Sequence, residues 1–164
     1  MTLLTGCTLE VRECSGGYRP ATSEEILAAA QRVINRRFRR GASISSVAAS
    51  VEFFRHKLAL REQEVFAVLF LDCKHHILGY EDVFYGTIDG ASIHPRIVVQ
   101  KALGYNAAAV IVAHNHPSGA AQSSSADRTI TLRLKEALSL VDVRLLDHII
   151  VGEPCVSLAE SGVI

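Results

Sequence analysis

A strand that ends in two histidines constrains this chain more than any other feature. Val110-Ile111-Val112-Ala113 is a run of small and β-branched apolar residues, which reads as a buried strand, and it leads into His114-Asn115-His116-Pro117-Ser118-Gly119. Side chains two apart on an extended segment point the same way, so both imidazoles can reach one ion. The stretch Ser124-Ser125-Ala126-Asp127 then delivers a carboxylate where a helical pattern, Arg128 to Leu140, begins. Two neutral imidazoles and one carboxylate form a ligand set that Zn²⁺ accepts, with a fourth position left for water, and that is the composition of a catalytic site. Zinc so held lowers the pKa of its water to about 7. The alternative is a pair of histidines that merely cap a strand. The Pro-Ser-Gly loop, the Ser-x-x-Asp spacing and the apolar strand together favour the metal.

The rest of the chain suits one compact domain with a small accessory segment. At 164 residues and 49% hydrophobic content it can fill a single core. A net charge of zero gives no global field toward nucleic acid or anionic membrane, so any such binding must be local. The 4 cysteines, Cys7, Cys14, Cys73 and Cys155, show no Cys-x-x-Cys spacing, which argues against a ribbon-type zinc site and against a disulfide framework. Nothing basic precedes a sustained apolar core after Met1-Thr2-Leu3-Leu4, and no window approaches a membrane span. The expectation is a soluble protein of the reducing cytoplasm with no membrane partner.

Residues 1–20 carry Gly16-Gly17, Pro20 and no sustained period, and are expected to be a loose arm in which Leu3, Leu4 and Val11 can add a short edge strand. Residues 21–60 read as two helices. In the first, Thr22-Ser23-Glu24-Glu25 is a capping box, and Ile26, Ala30, Ile34 and Phe38 recur every four residues until Gly41. It carries Arg32, Arg36, Arg37, Arg39 and Arg40. That basic cluster is either a contact for phosphate or an acidic partner, or a solvated face lying favourably near a helix C-terminus. The second helix is expected from Ile44 to Leu60, with Val47, Val51, Phe54 and Leu58 on one face, and the pair is expected to dock as a hairpin.

Residues 61–164 then read as strand, strand, helix, strand, helix, strand. Glu64 to Asp72 is too continuously apolar to face solvent on one side. Cys73-Lys74-His75-His76 turns the chain into a return strand, Ile77 to Tyr85. Adjacent histidines on a turn rarely converge on one ion, so His75 and His76 are read as surface residues. Proline after His94 opens a helix over Pro95 to Gly104. Asn106 to Ala113 is the strand that feeds the metal loop, and the helix from Asp127 sends Ile130, Leu134, Ala137 and Leu138 inward. Val143 to Val151 is an apolar strand interrupted by Asp147-His148. A charged pair inside a buried strand needs a partner, since unpaired burial costs several kcal/mol. Orienting a ligand histidine is one role for Asp147 and His148, and a structural hydrogen bond elsewhere is the other. His94 has the same two readings. A short strand near Cys155 to Leu158 ends the chain, giving an α/β fold with a mixed sheet flanked by helices.

The pattern His114-x-His116, then Ser124 and Asp127, resembles the JAMM motif of the MPN/JAB metallopeptidases. The wider wording Gly86-Thr87-Ile88, His94-Pro95-Arg96, Asn106-Ala107-Ala108, His114 through Gly119 and Leu146-Asp147-His148 resembles the RadC-like branch of that family, a bacterial group long labelled as DNA repair proteins. The resemblance runs from about Arg61 to the C-terminus. It implies a cytidine-deaminase-like curved sheet and one Zn²⁺ held by His114, His116 and Asp127. It further implies Glu64 as the general base before the first strand, with Glu62 and Glu52 as competitors, and Ser124 as donor to the developing oxyanion. Ser124 has a second reading as the N-cap of the Asp127 helix. Ile97 stands where this family commonly carries a glutamate, which would serve in catalysis, in substrate binding or only in starting the helix. Ser123 stands where proline is common. The implied activity is hydrolysis of peptide or isopeptide bonds in a protein or peptide substrate. Two other functions stay open, a non-catalytic MPN scaffold and a DNA-associated accessory protein, the latter resting on the arginine cluster alone. The literal His-Asn-His string is not an HNH nuclease motif, whose named residues are spread over a ββα unit.

Overall fold

The computed structural model describes residues 9–13, 16–37, 40–86, 93–117, 119 and 122–164, and among these the side chains of 34–37 are left out. Leu3, Leu4, Cys7, Cys14, Phe38, Arg39, Thr87, Ile88, Ala91, Ser92 and Ser118 therefore lie outside the described residues, as do the side chains of Ile34, Arg36 and Arg37. The chain divides into two compact units, Met1–Arg37 and Phe38–Ile164.

The first unit holds β1 (Glu10–Arg12), β2 (Tyr18–Pro20) and α1 (Ser23–Arg37). Where periodicity suggests no regular structure, β1 and β2 pair antiparallel, with Val11 opposite Arg19. The connecting turn is closed by a hydrogen bond from Glu13 N to Gly17 O and passes through Gly16 at φ +90°, a conformation that favours glycine. At the start of α1 the capping box forms in both directions, with Thr22 N donating to Glu25 and Glu25 N donating to the Thr22 hydroxyl.

The second unit holds α2 (Val47–Leu58), β3 (Val65–Leu71), β4 (Ile77–Tyr85), α3 (Pro95–Gly104), β5 (Ala109–Asn115), α4 (Ser125–Ser139), β6 (Arg144–Val151) and β7 (Val156–Ser157). The boundary between the units falls between α1 and α2, the helices that the sequence groups into one segment. The strands form one mixed sheet in the order β4-β3-β5-β6-β7, in which only β5 and β6 run parallel. The result is a mixed α/β architecture of the MPN/JAB kind.

Both faces of the sheet are covered, which explains the unbroken apolar runs. On one face Phe53, Phe54 and Leu58 of α2 pack against Val65, Ala67, Leu69, Leu71, Ile111 and Ala113. On the other, Val98 and Ala102 of α3 and Leu134 and Leu138 of α4 pack against Phe66, Val68, Phe70, Val110 and Val112. Alternate residues of β3 and β5 thus serve opposite layers, and all of β3 is buried.

Several element ends differ from the sequence expectation. Helix α2 starts at Val47 because Ser46, extended at φ −156°, accepts a hydrogen bond from Ala49 N; Ile44 precedes the helix and is buried in the core, and Phe53 joins Phe54 and Leu58 on the packed face. Strand β5 starts at Ala109 because the chain first turns through Asn106 at φ +51°, and it runs on to Asn115. In β6 a register shift leaves Leu146 between the pairs Val110–Leu145 and Ile111–Asp147. Among the described residues, no helix is long and apolar enough to cross a membrane, and Cys73 and Cys155 are free thiols.

Candidate metal centre

Strand β5 and the first turn of α4 build the site. His114 lies on the sheet face covered by α3 and α4, and is 2% exposed. His116 follows as the strand ends, with its N–H held by Val151 O. Asp127 is the third residue of α4, whose cap is Ser124. His114 Nε2 lies 2.9 Å from His116 Nε2 and 3.4 Å from Asp127 Oδ1. One ligand atom from each of the three residues falls within 4.8 Å of the others, so the group can hold a metal ion.

The chemistry of the donor set fits that role. Burial pushes the His114 pKa down to about 4, with His116 adding to the effect and the Asp127 carboxylate opposing it. An imidazole must be neutral to bind a metal, and this one is kept so. The 2.9 Å nitrogen pair is somewhat closer than the about 3.4 Å edge expected for a tetrahedron with 2.1 Å bonds, so a small rotation of one ring accommodates zinc.

The two oxygens of Asp127 are divided between tasks. Oδ2 accepts from Ser124 N at 2.8 Å and from the Ser124 hydroxyl at 2.7 Å, while Oδ1 faces His114. Asp127 N lies 3.0 Å from the Ser124 oxygen, which completes a capping box. Ser124 is thus an N-cap whose partner is also a candidate ligand, and one short Ser-x-x-Asp spacing orients the carboxylate.

Glu64 immediately precedes β3. Phe66 pairs with His114 at the end of the antiparallel β3–β5 ladder, two residues after Glu64 and two before His116. Its carbonyl accepts from Gly86 N at 2.8 Å, and a Cβ on Gly86 would stand 2.9 Å from the Glu64 Cβ. The Glu64 side chain therefore runs directly over a glycine. Glu62 is exposed on the loop before it.

His148 meets the site and Asp147 does not. His148 Nε2 is 2.9 Å from His114 Nδ1, and its other nitrogen is 2.6 Å from the Thr131 hydroxyl. Burial, with His114 and His116 adding to it, holds the His148 pKa well below 6.5. The Asp147 carboxylate instead accepts from the Ser157 hydroxyl at 2.7 Å and from Ala159 N at 3.0 Å, tying the C-terminal segment to β6. His94 is the N-cap residue of α3 without a side-chain cap bond, and its ring meets Phe84 edge-on. Phe84 packs on Phe66, which stacks on His114, so His94 stands at the far end of an aromatic row. Ile97 is half-buried in the first turn of α3, where a glutamate could reach back to the helix start. The Ser123 hydroxyl accepts from Arg128 Nε at 3.2 Å. His76 bonds Asp72 in the β3–β4 turn, away from the metal ligands in sequence and partner. Of the arginine cluster, the described side chains are Arg32 and Arg40, both exposed.

Two site-supporting residues carry no sequence signal of their own. Thr131 reads as one more helix residue. Asn115 reads as the spacer of His-x-His, yet its side chain accepts from Val65 N at 2.9 Å and donates to Gln63 O at 3.1 Å and Arg61 O at 3.2 Å.

Residues 44–163 match the RadC-like JAB domain. A UPF0758 protein of Vibrio cholerae is 50% identical over 142 residues, covering 87% of this chain and 90% of that protein. A UPF0758 protein of Halorhodospira halophila is 49% identical over 159 residues, covering 96% of this chain and 70% of its own length. One from Thioalkalivibrio sulfidiphilus is 46% identical over 149 residues, covering 91% and 67% respectively. With the strand, loop and helix that carry His114, His116 and Asp127 all inside the matched span, the chain belongs to the RadC-like JAB domain family.

Proposed function

We propose that this protein is a zinc-dependent hydrolase of peptide or isopeptide bonds. The observation that carries the reading is the convergence of His114, His116 and Asp127 donor atoms within 4.8 Å at the end of a buried strand. His114 Nε2, His116 Nε2 and Asp127 Oδ1 would hold the ion. Bound there, zinc supplies a Lewis acid for the scissile carbonyl and acidifies a water molecule.

The remaining work falls to the chain. Glu64, two residues before the Phe66 that pairs with His114, takes the proton from the attacking water at its carboxylate and hands it to the departing amine. Ser124 turns its hydroxyl toward the developing oxyanion. Asp127 Oδ2 keeps the Ser124 N–H bond meanwhile, so the ligand stays oriented while the hydroxyl is lent to the substrate. The substrate is a peptide or protein.

Metal content of purified protein, wild type beside His116→Ala, tests the ligand set. One zinc per chain is expected, lost in the variant. Glu64→Gln should retain the zinc and lose about two to four powers of ten in turnover. A wild-type protein that holds no zinc after metal is added and excess removed overturns the hydrolase and leaves a binding scaffold.

A further inference from the structure

The hydrogen bonds behind His114 have a direction, and that direction is set by an atom that cannot donate. Thr131 Oγ1 lies 2.5 Å from Asp127 O, the carbonyl one turn earlier in α4. An oxygen pair that close needs a proton between them, and a carbonyl has none to give, so the Thr131 hydroxyl donates. Its single proton spent, the same oxygen can only accept across the 2.6 Å contact with His148 Nδ1. Nδ1 of His148 therefore carries hydrogen.

A neutral His148 then has a bare Nε2, which must accept across 2.9 Å from His114 Nδ1–H. His114 is left with its lone pair on Nε2, the nitrogen that faces His116 and Asp127. If His148 were doubly protonated, its Nε2–H would claim the lone pair of His114 Nδ1. The His114 proton would then move to Nε2 and close the metal position. Every member of the chain is out of solvent: Thr131 and His148 are 0% exposed and His114 2%. Water therefore offers no substitute partner.

We infer that Thr131 and His148 are positioning residues that lock His114 in the Nδ1–H tautomer and so hold its Nε2 ready for a metal. The device closes on itself, because Asp127 supplies a ligand through Oδ1 and the anchor of the relay through its backbone oxygen. Helix α4 thus delivers a carboxylate and orders an imidazole across the sheet with the same turn. This deepens the zinc reading and rests on it only for what His114 Nε2 receives; the tautomer itself is a property of the metal-free protein.

The test uses Thr131→Val, which keeps the shape and removes the hydroxyl, and Thr131→Ser, which restores it. In metal-free wild type, nitrogen NMR of the histidine rings should find His114 protonated at Nδ1 and bare at Nε2. Thr131→Val should give mixed His114 tautomers and a ten- to hundredfold weaker zinc affinity in competition with a chromophoric chelator, and Thr131→Ser should recover both. Should Thr131→Val not fold, the wild-type and Thr131→Ser ring spectra still decide the matter. Wild-type His114 protonated at Nε2 overturns the inference, as does a folded Thr131→Val with unchanged tautomer and zinc affinity. Wild type without zinc affinity but with the Nδ1–H tautomer would instead overturn the hydrolase reading alone.

Discussion

The side-chain oxygen of Asn115 accepts the backbone N–H of Val65 at 2.9 Å, so the middle residue of His-Asn-His holds the start of the neighbouring strand. Its amide nitrogen donates to the carbonyls of Arg61 and Gln63. The two histidines face the metal position while the residue between them pins the segment that carries Glu64. The candidate ligands and Glu64 are thereby tied to one strand end.

Replacing Asn115 with alanine should strip three partners at once and leave the buried Val65 N–H without an acceptor. A loss of about 2–3 kcal/mol in unfolding free energy is expected. Urea denaturation of Asn115→Ala against wild type measures it, and a variant as stable as wild type would remove Asn115 from this role.

Gly86→Ala addresses Glu64 from the other side. A new Cβ would meet the Glu64 Cβ at 2.9 Å, closer than such atoms approach, so the base must shift. Displacement of a reacting group by roughly 1 Å costs on the order of a hundredfold in turnover. The zinc content of Gly86→Ala should match wild type while cleavage of any peptide that wild type cuts falls by about that factor. Full activity in a zinc-loaded variant would count against Glu64 as the base.

Metal-free protein should weaken in acid. His114 in the folded state resists protonation down to about 4, whereas the unfolded chain takes up that proton near 6.5. His148 shifts in the same direction, from burial. Between these values the unfolded state binds more protons, so stability is lost as pH falls from 6.5 toward 4 and is insensitive to these groups above 6.5. Denaturation midpoints of chelator-treated protein should hold level from about pH 8 to about pH 7 and drop by about pH 5. A midpoint that stays level or rises on acidification would contradict the buried, neutral imidazole pair.

Much of this site is local and therefore legible in the sequence. His-x-His on an apolar run needs only strand alternation, and Ser124-x-x-Asp127 needs only one helical turn. The capping box between them forms as that spacing requires, with the added consequence that it orients a candidate ligand. The ends of β4 and α3 fall where the turn at His75-His76, Pro95 and Gly104 put them, because each is marked by a residue whose backbone preference acts on its own. The N-terminal hairpin is the opposite case, since strands of three residues are too short to show a period.

What only the tertiary structure decided is which polar residue reaches which. Strict alternation from Leu145, which packs under α3 and α4, would send Asp147 to the metal side and His148 away from it. The register shift at Leu146 reverses that order, so His148 meets His114 and Asp147 meets Ser157. Such a bulge is settled by pairing between β5 and β6, whose partners lie more than thirty residues apart in the chain. Thr131 and Asn115 are hidden for the same reason: each is ordinary in its own helix or strand, and each acquires its role from an element that local periodicity does not see. By itself the sequence determined the candidate ligand residues, their spacing and the elements that bear them, because those follow from the backbone geometry of single segments. The supporting hydrogen bonds awaited the register between strands, where one residue of slip exchanges the two faces of a sheet.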